Sequence, residues 1–102
     1  MNIKQASQGF AAAGAEARLS VLKKLVKSGP RGLTVGELQQ SLDIPPSTLA
    51  HHLRHLLEGG LIRQQKQGRQ IINVPNLTRI QALAAFLLTE CCSESETDND
   101  CC

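Results

Sequence analysis

The chain has 102 residues, a formal net charge of +2, four cysteines and only two aromatic residues, Phe10 and Phe86. That length suits one domain, or one domain with a tail, whose limited core a second copy would help to complete. Two phenylalanines cannot provide stacking platforms for unpaired bases, which argues against single-stranded nucleic acid as the ligand. No charged-then-apolar leader pattern opens the sequence and no apolar run approaches membrane-spanning length, so a cytoplasmic protein with no membrane partner is expected.

The small net charge conceals a division. All eleven Lys and Arg lie within residues 1–79, opposed there only by Glu16, Glu37, Asp43 and Glu58. The other five acids (Glu90, Glu94, Glu96, Asp98 and Asp100) fall in the last thirteen residues, so residues 1–89 carry +7 and residues 90–102 carry −5. A basic body fits a polyanionic partner. All four cysteines, Cys91, Cys92, Cys101 and Cys102, sit in the acidic segment. A disulfide framework would instead staple loops throughout the fold. Residues 1–90 are therefore expected to form the domain and residues 91–102 a flexible, acidic, cysteine-rich tail.

Residues 1–13 are mildly helical, with Phe10 and an alanine run between Gly9 and Gly14 that permits close helix approach. Residues 15–28 are a firmer helix. Leu19, Leu22 and Val26 recur at helical spacing, with Val21 and Leu25 widening the apolar face. Lys23, Lys24 and Lys27 lie toward the end of this helix, where cations complement its dipole. The run Ser28-Gly29-Pro30-Arg31-Gly32 breaks it. Thr34-Val35-Gly36-Glu37 has the pattern of a capping box, and Val35, Leu38 and Leu42 form the apolar face of a short helix.

Asp43-Ile44-Pro45 ends that helix, and Pro46 can start the next, where its missing N–H costs nothing. On a helical wheel centred on Leu49, Leu53, Leu56 and Leu57 fall on the same side. Ser47, His51, Arg54 and Glu58 fall on the opposite side, with His55 beside them and His52 at the boundary. A short helix, a tight turn and a helix with a polar outer face is a helix-turn-helix arrangement. The polar face suits the major groove of double-stranded DNA, and the expected contacts are Ser47, Thr48, His51, His52 and Arg54. His52, at the stripe edge, also fits a structural role. His51, His55 and Glu58 share a face at metal-ligand spacing, but the same face must meet DNA, and DNA contact is the preferred reading.

Gly59-Gly60 closes this helix. Residues 61–66 and 69–74 then flank Gln67-Gly68, which predicts a β-hairpin with glycine at the positive-φ turn position. Its tip carries Lys66 and Arg69, and no acid lies between Glu58 and Glu90. A basic two-stranded loop directly after a helix-turn-helix is a wing that can contact phosphates or the minor groove. Pro75-Asn76 opens the last helix, with Asn76 as N-cap. Leu77, Ile80, Leu83, Ala84, Leu87 and Leu88 line one face, extended by Ala82, Ala85 and Phe86. A helix apolar nearly all round needs cover on more than one side, and a domain this small implies a second subunit. A two-fold dimer sets two recognition helices about 34 Å apart, one turn of a palindromic DNA site.

The order of elements and several short runs resemble the ArsR/SmtB-type winged-helix repressors over roughly residues 14–90. The runs are Ala15-Glu16-Ala17-Arg18-Leu19-Ser20-Val21-Leu22, Thr34-Val35-Gly36-Glu37-Leu38, Ser47 to Arg54, and Gly60-Leu61-Ile62 followed by Gly68-Arg69. The resemblance implies a mainly α fold with a β-hairpin, a winged helix-turn-helix, homodimeric through its first and last helices. It implies a regulator rather than an enzyme, with no organic cofactor. Many members carry a Cys-x-Cys metal site in the helix after Glu-Leu. Here that helix reads Glu37-Leu38-Gln39-Gln40-Ser41-Leu42. Others bind zinc through Asp and His on the last helix, and residues 77–90 contain neither. The remaining candidates are Cys91-Cys92 with Cys101-Cys102, similar to arsenic-sensing members that use a vicinal cysteine pair and a further cysteine near the C-terminus.

The chemistry of these thiols is consistent with that. Soft thiolates select thiophilic ions, and trivalent arsenic or antimony takes three sulfurs. The eight residues from Ser93 to Asp100 span up to about 26 Å, enough to fold the last pair back. A helix C-terminus and adjacent carboxylates disfavour a thiolate, which is poor ground for a nucleophile. Neutral arsenous acid avoids the difficulty by exchanging three hydroxyls for three thiols with release of water. The expected effector is As(III) or Sb(III), bound by Cys91, Cys92 and one of Cys101 or Cys102, with release of operator DNA. A thiol-redox or persulfide-responsive repressor, a zinc- or cadmium-responsive one, a thiol enzyme or metal buffer, and solvated tail cysteines remain the alternatives.

Overall fold

The computed structural model describes residues 1–94. It contains α1 (Ile3–Ala13), α2 (Glu16–Ser28), a 3-10 turn (Gly29–Arg31), α3 (Val35–Leu42), α4 (Pro46–Glu58), β1 (Ile62–Gln67), β2 (Gln70–Pro75) and α5 (Leu77–Leu88). This is the expected winged helix-turn-helix, mainly α with one antiparallel hairpin. The tail expected over residues 91–102 lies, beyond Glu94, outside the described residues.

Local chemistry fixes most helix ends. Asn2 caps α1 reciprocally: its side chain accepts from Gln5 N at 2.8 Å, and its own N donates to Gln5 Oε1 at 3.0 Å. The expected box at α3 is present, with Glu37 N donating to Thr34 Oγ1 at 3.1 Å and Thr34 N donating to Glu37 Oε1 at 2.9 Å. Asp43 closes α3 in the left-handed region, φ 52°, and donates its N–H to Gln39 O. A short Asx side chain tolerates that conformation better than most residues. Pro46 then occupies the first turn of α4, so the three residues Asp43, Ile44 and Pro45 make the turn between the two helices.

The core is built from one face of each element. Leu49, Leu53 and Leu56 of α4 are buried against Val21, Leu22 and Leu25 of α2 and Leu38 of α3, with Leu61, Ile62 and Leu83 completing it. Two helical stripes are narrower than the sequence pattern indicates. Leu57 is exposed because it lies about 80° round the helix from Leu49, beyond the buried arc. On α2 the buried arc runs from Val21 through Leu25 to Leu22, which leaves Leu19 and Val26 at its solvent edge. The small residues of α1 act as anticipated. A Cβ on Gly9 would stand 2.7 Å from Leu83 Cδ1, so its absence seats α5 on α1. Gly59, at the end of α4, packs directly onto the Ala12 methyl.

Strands β1 and β2 pair from Ile62↔Pro75 to Gln67↔Gln70. The tip is therefore Gly68-Arg69, one residue later than the Gln67-Gly68 turn expected from sequence. Gly68 has φ +61°, and Arg69 is not among the positive-φ residues. That is the pattern of a type II′ turn, whose first loop position selects glycine. A further bridge, Leu33↔Asn73, ties the base of the hairpin to the segment before α3.

Candidate nucleic-acid interface

Helix α4 turns Leu49, Leu53 and Leu56 inward, so its opposite edge is fixed outward. Ser47, Thr48, His51 and Arg54 are all exposed on that edge. Among the described residues Arg31–Glu37, at 3.5 Å, is the only ion pair. Arg54 thus has no acidic partner there, and neither do Lys66 and Arg69 on the hairpin. Unpaired cations on an outward face keep their full charge available to an incoming polyanion.

The hairpin presents a basic tip. Arg69 occupies the turn, and Lys66 lies in the pair next to the Gln67↔Gln70 closing pair. Arg69 also lines a surface groove of about 390 Å³ with Thr34, Val35 and Gly36. The wing tip therefore stands beside the first turn of α3, where backbone N–H groups and the positive end of the helix dipole lie. Sequence reading alone did not bring the α3 terminus and the wing together.

Two polar anchors hold the hairpin relative to α4. Asn76 donates from Nδ2 to Gly60 O at 3.0 Å and from its backbone N to Leu61 O at 2.9 Å, while Oδ1 accepts from Arg79 N at 3.3 Å. Its capping role was legible in the sequence; its bond to the turn after α4 was not. Asn73 is fully buried, donates to Leu33 O at 3.3 Å and accepts from Gln64 Nε2 at 3.0 Å. Nothing in the local pattern of Ile72-Asn73-Val74 distinguishes this asparagine from a strand-surface residue.

The three histidines of α4 occupy different settings. His51 is exposed and His55 half-buried, with their Nε2 atoms 3.1 Å apart. His52 turns toward the body, and its Nδ1 is buried with no partner. Burial, and then the charges of Arg18, His51 and His55, push its pKa below the usual imidazole value. His52 thus belongs to the packing between α4 and α2 more than to the outward edge. Glu58 does not join His51 and His55, since no three of His, Cys, Asp and Glu gather as a metal cluster among the described residues.

At the far end of the molecule α5 stops at Leu88 and the chain continues in turns. Cys91 N donates to Leu88 O and Ser93 N to Glu90 O, both at 3.0 Å. Cys91 and Cys92 are half-buried, and their sulfurs lie 3.4 Å apart. Neither is a free thiol in this structure: both are disulfide-bonded. Cys101 and Cys102 lie outside the described residues.

A buried leucine stripe on α4, an outward polar edge and a basic hairpin docked beside it define a winged helix-turn-helix of the DNA-binding type. The family model of a helix-turn-helix domain matches residues 14–65, and the chain belongs to that family. Its fold is that of the ArsR-family transcriptional regulators. An ArsR-like transcriptional regulator from Rhodococcus sp. RHA1 superposes with a TM-score of 0.76 at 25% identity, over 89% of this chain and 82% of that one. The crystal structure of another ArsR family transcriptional regulator gives 0.74 at 29% identity, over 95% and 98%. An uncharacterized HTH-type transcriptional regulator, MJ1325 of Methanocaldococcus jannaschii, is 32% identical over 65 residues, which is 64% of this chain and 71% of that one. No helix among the described residues is long and apolar enough to cross a membrane.

Proposed function

We propose that this ArsR-family regulator is a cytoplasmic, homodimeric repressor whose hold on a palindromic operator is released by As(III) or Sb(III). Ser47, Thr48, His51 and Arg54 enter the major groove, His52 holds the helix to the body behind them, and Lys66 and Arg69 grip flanking phosphates. The dimer forms through α1 and α5, where Ile3, Phe10, Leu87 and Leu88 are exposed. Leu87 and Leu88 are more than 60% exposed at the end of a helix whose single buried residue is Leu83, and a second copy would cover them.

One observation carries the effector assignment. Cys91 and Cys92 follow the exposed end of α5 within four residues, with sulfurs close enough to touch one thiophilic atom. A third sulfur from Cys101 or Cys102 completes a pyramidal set. Once the cysteines are reduced to thiols, three of them condense with arsenous acid with loss of three waters, so the tail's negative charge does not oppose binding. Drawing three sulfurs together at the end of the dimer helix changes how the two copies meet, and so the separation of the reading heads. A coupling of about 1–3 kcal/mol gives several-fold to hundredfold weaker DNA binding.

Arsenite and zinc titrated separately into protein bound to its own promoter fragment test this. Arsenite should release DNA at concentrations where zinc does not, and Cys91→Ser with Cys92→Ser should abolish the release. Intact release in that double variant would overturn the site assignment. The same sulfur proximity favours a second reading, an oxidant- or persulfide-driven switch. It predicts release by peroxide without any metalloid.

A further inference from the structure

His51 and His55 stand one turn apart on α4, with ring centroids 4.4 Å apart, planes nearly perpendicular and Nε2 atoms separated by 3.1 Å. Between neutral rings this is a hydrogen bond, one Nε2–H donating into the other ring's lone pair. The same spacing is the bite of a two-imidazole metal seat. With metal–nitrogen bonds of about 2.05 Å, nitrogens 3.1 Å apart subtend about 98° at the metal, between the roughly 90° of octahedral and 109° of tetrahedral geometry. The helix already holds the rings together, so little ordering is left for binding to supply. A ring rotation and a shift of the donor ring to its Nδ1–H tautomer free both lone pairs, and the tautomer shift releases no proton. His52 stays outside the pair, its ring 6.1 Å from that of His51 and its Nδ1 buried.

We propose that His51 and His55 form a bidentate site for a borderline divalent transition metal such as Ni²⁺, Cu²⁺ or Zn²⁺, and that metal and DNA exclude each other on this edge of α4. Imidazole is a preferred ligand for all three ions. No third side chain joins the pair in a cluster among the described residues, so water completes the coordination shell and the site fills only when free metal is plentiful. A hydrated ion on this edge occupies both ring nitrogens and holds the helix away from the groove floor. The exclusion rests on the proposed DNA-facing role of α4. The seat itself does not.

The test uses the full chain with all four cysteines changed to serine, so that thiolates take no metal. Ni²⁺ and Zn²⁺ are titrated calorimetrically into DNA-free protein. One ion per chain is expected, with affinity at least tenfold weaker in His51→Gln and in His55→Gln. Promoter affinity is then measured with and without Ni²⁺ at constant ionic strength. Ni²⁺ at ten times its own dissociation constant should weaken DNA binding about tenfold per reading head. In His51→Gln the metal-induced weakening should fall to about twofold or less, whatever that variant's metal-free affinity, as competition at a single site requires. Unchanged metal affinity in both histidine variants overturns the seat. Metal held by the pair with DNA binding unchanged or strengthened overturns the exclusion. Failure of the metal-free protein to bind its promoter overturns the DNA reading, and the calorimetry still judges the seat alone.

Discussion

Leu33 and Asn73, forty positions apart, exchange both backbone hydrogen bonds: Leu33 N to Asn73 O at 2.9 Å and Asn73 N to Leu33 O at 2.8 Å. The Asn73 side chain adds a bond to Leu33 O and accepts one from Gln64. The wing is therefore stitched to the segment leading into α3. Gly32 makes the approach feasible, having φ +70° and a position where a Cβ would meet Asn73 O at 2.5 Å. Reading helix and wing consequently share one frame, as a two-part DNA contact requires.

Asn73→Ala keeps the backbone pair but leaves Gln64 and Leu33 without their side-chain partner. It should destabilise the fold by about 1–3 kcal/mol, the cost of stripping partners from buried polar groups. Urea unfolding gives the value, and hydrogen exchange at Leu33 N–H should accelerate more than at Leu25. Equal stability in the variant would mean that the side-chain bonds contribute nothing.

Thr34→Ala removes the α3 cap and should lower stability by about 1 kcal/mol. The Glu37 carboxyl lies below its ordinary pKa chiefly because the Thr34 backbone N–H binds it; desolvation opposes this, and the Thr34 hydroxyl and Arg31 add to the lowering. A depressed carboxylate pKa contributes stability that is present above the ordinary value, about 4.3, and lost as pH falls through the folded value. An NMR titration should therefore find Glu37 titrating below the ordinary glutamate value, and Glu37→Gln should reduce the loss of stability below pH 4.

His52 should make the fold sensitive to mild acid. Its pKa is lowered by burial first and then by neighbouring positive charge, so between the folded value and about 6.5 the unfolded chain binds more protons. Stability is complete above pH 6.5 and falls as pH drops through the folded value. The gap in urea midpoint between pH 7.5 and pH 5.5 should narrow in His52→Gln. A gap of the same size would place the acid sensitivity elsewhere.

Leu87→Asp should dissociate the dimer without unfolding the protomer, because Leu87 is 69% exposed and contributes little to the protomer's own core. Sedimentation should show a shift to monomer at micromolar concentration. Promoter affinity should drop at least tenfold as one of two half-site contacts is lost, a loss of about 1.4 kcal/mol or more.

The sequence carried the architecture because its signals were local. Thr34 and Glu37, Pro46, the Leu49-Leu53-Leu56 stripe and Gly68 each specify their own turn or helix. It misplaced what depends on neighbours. Leu19, Val26 and Leu57 satisfy helical periodicity yet sit at arc edges that only the packing of α2 and α4 defines. Asn73 looks like any strand residue until Leu33 arrives from forty positions away. Asn2 and Gln5 form the box that starts α1, which the mild helicity expected of residues 1–13 did not disclose. At the interface, periodicity was enough to place Ser47, Thr48, His51 and Arg54 outward. The inward turn of His52 and the meeting of Arg69 with the α3 terminus are tertiary facts.

The central claim is that the outward edge of α4 reads base sequence, and Arg54 tests it most directly. Affinity is measured by fluorescence anisotropy at one salt concentration, for the protein's own promoter duplex and for a scrambled duplex of equal length. Arg54→Ala should weaken promoter binding about tenfold to hundredfold, the value of about 1–3 kcal/mol for a bidentate base contact, and weaken scrambled binding by no more than a few-fold. Equal loss on both duplexes, or no loss on the promoter, would contradict it.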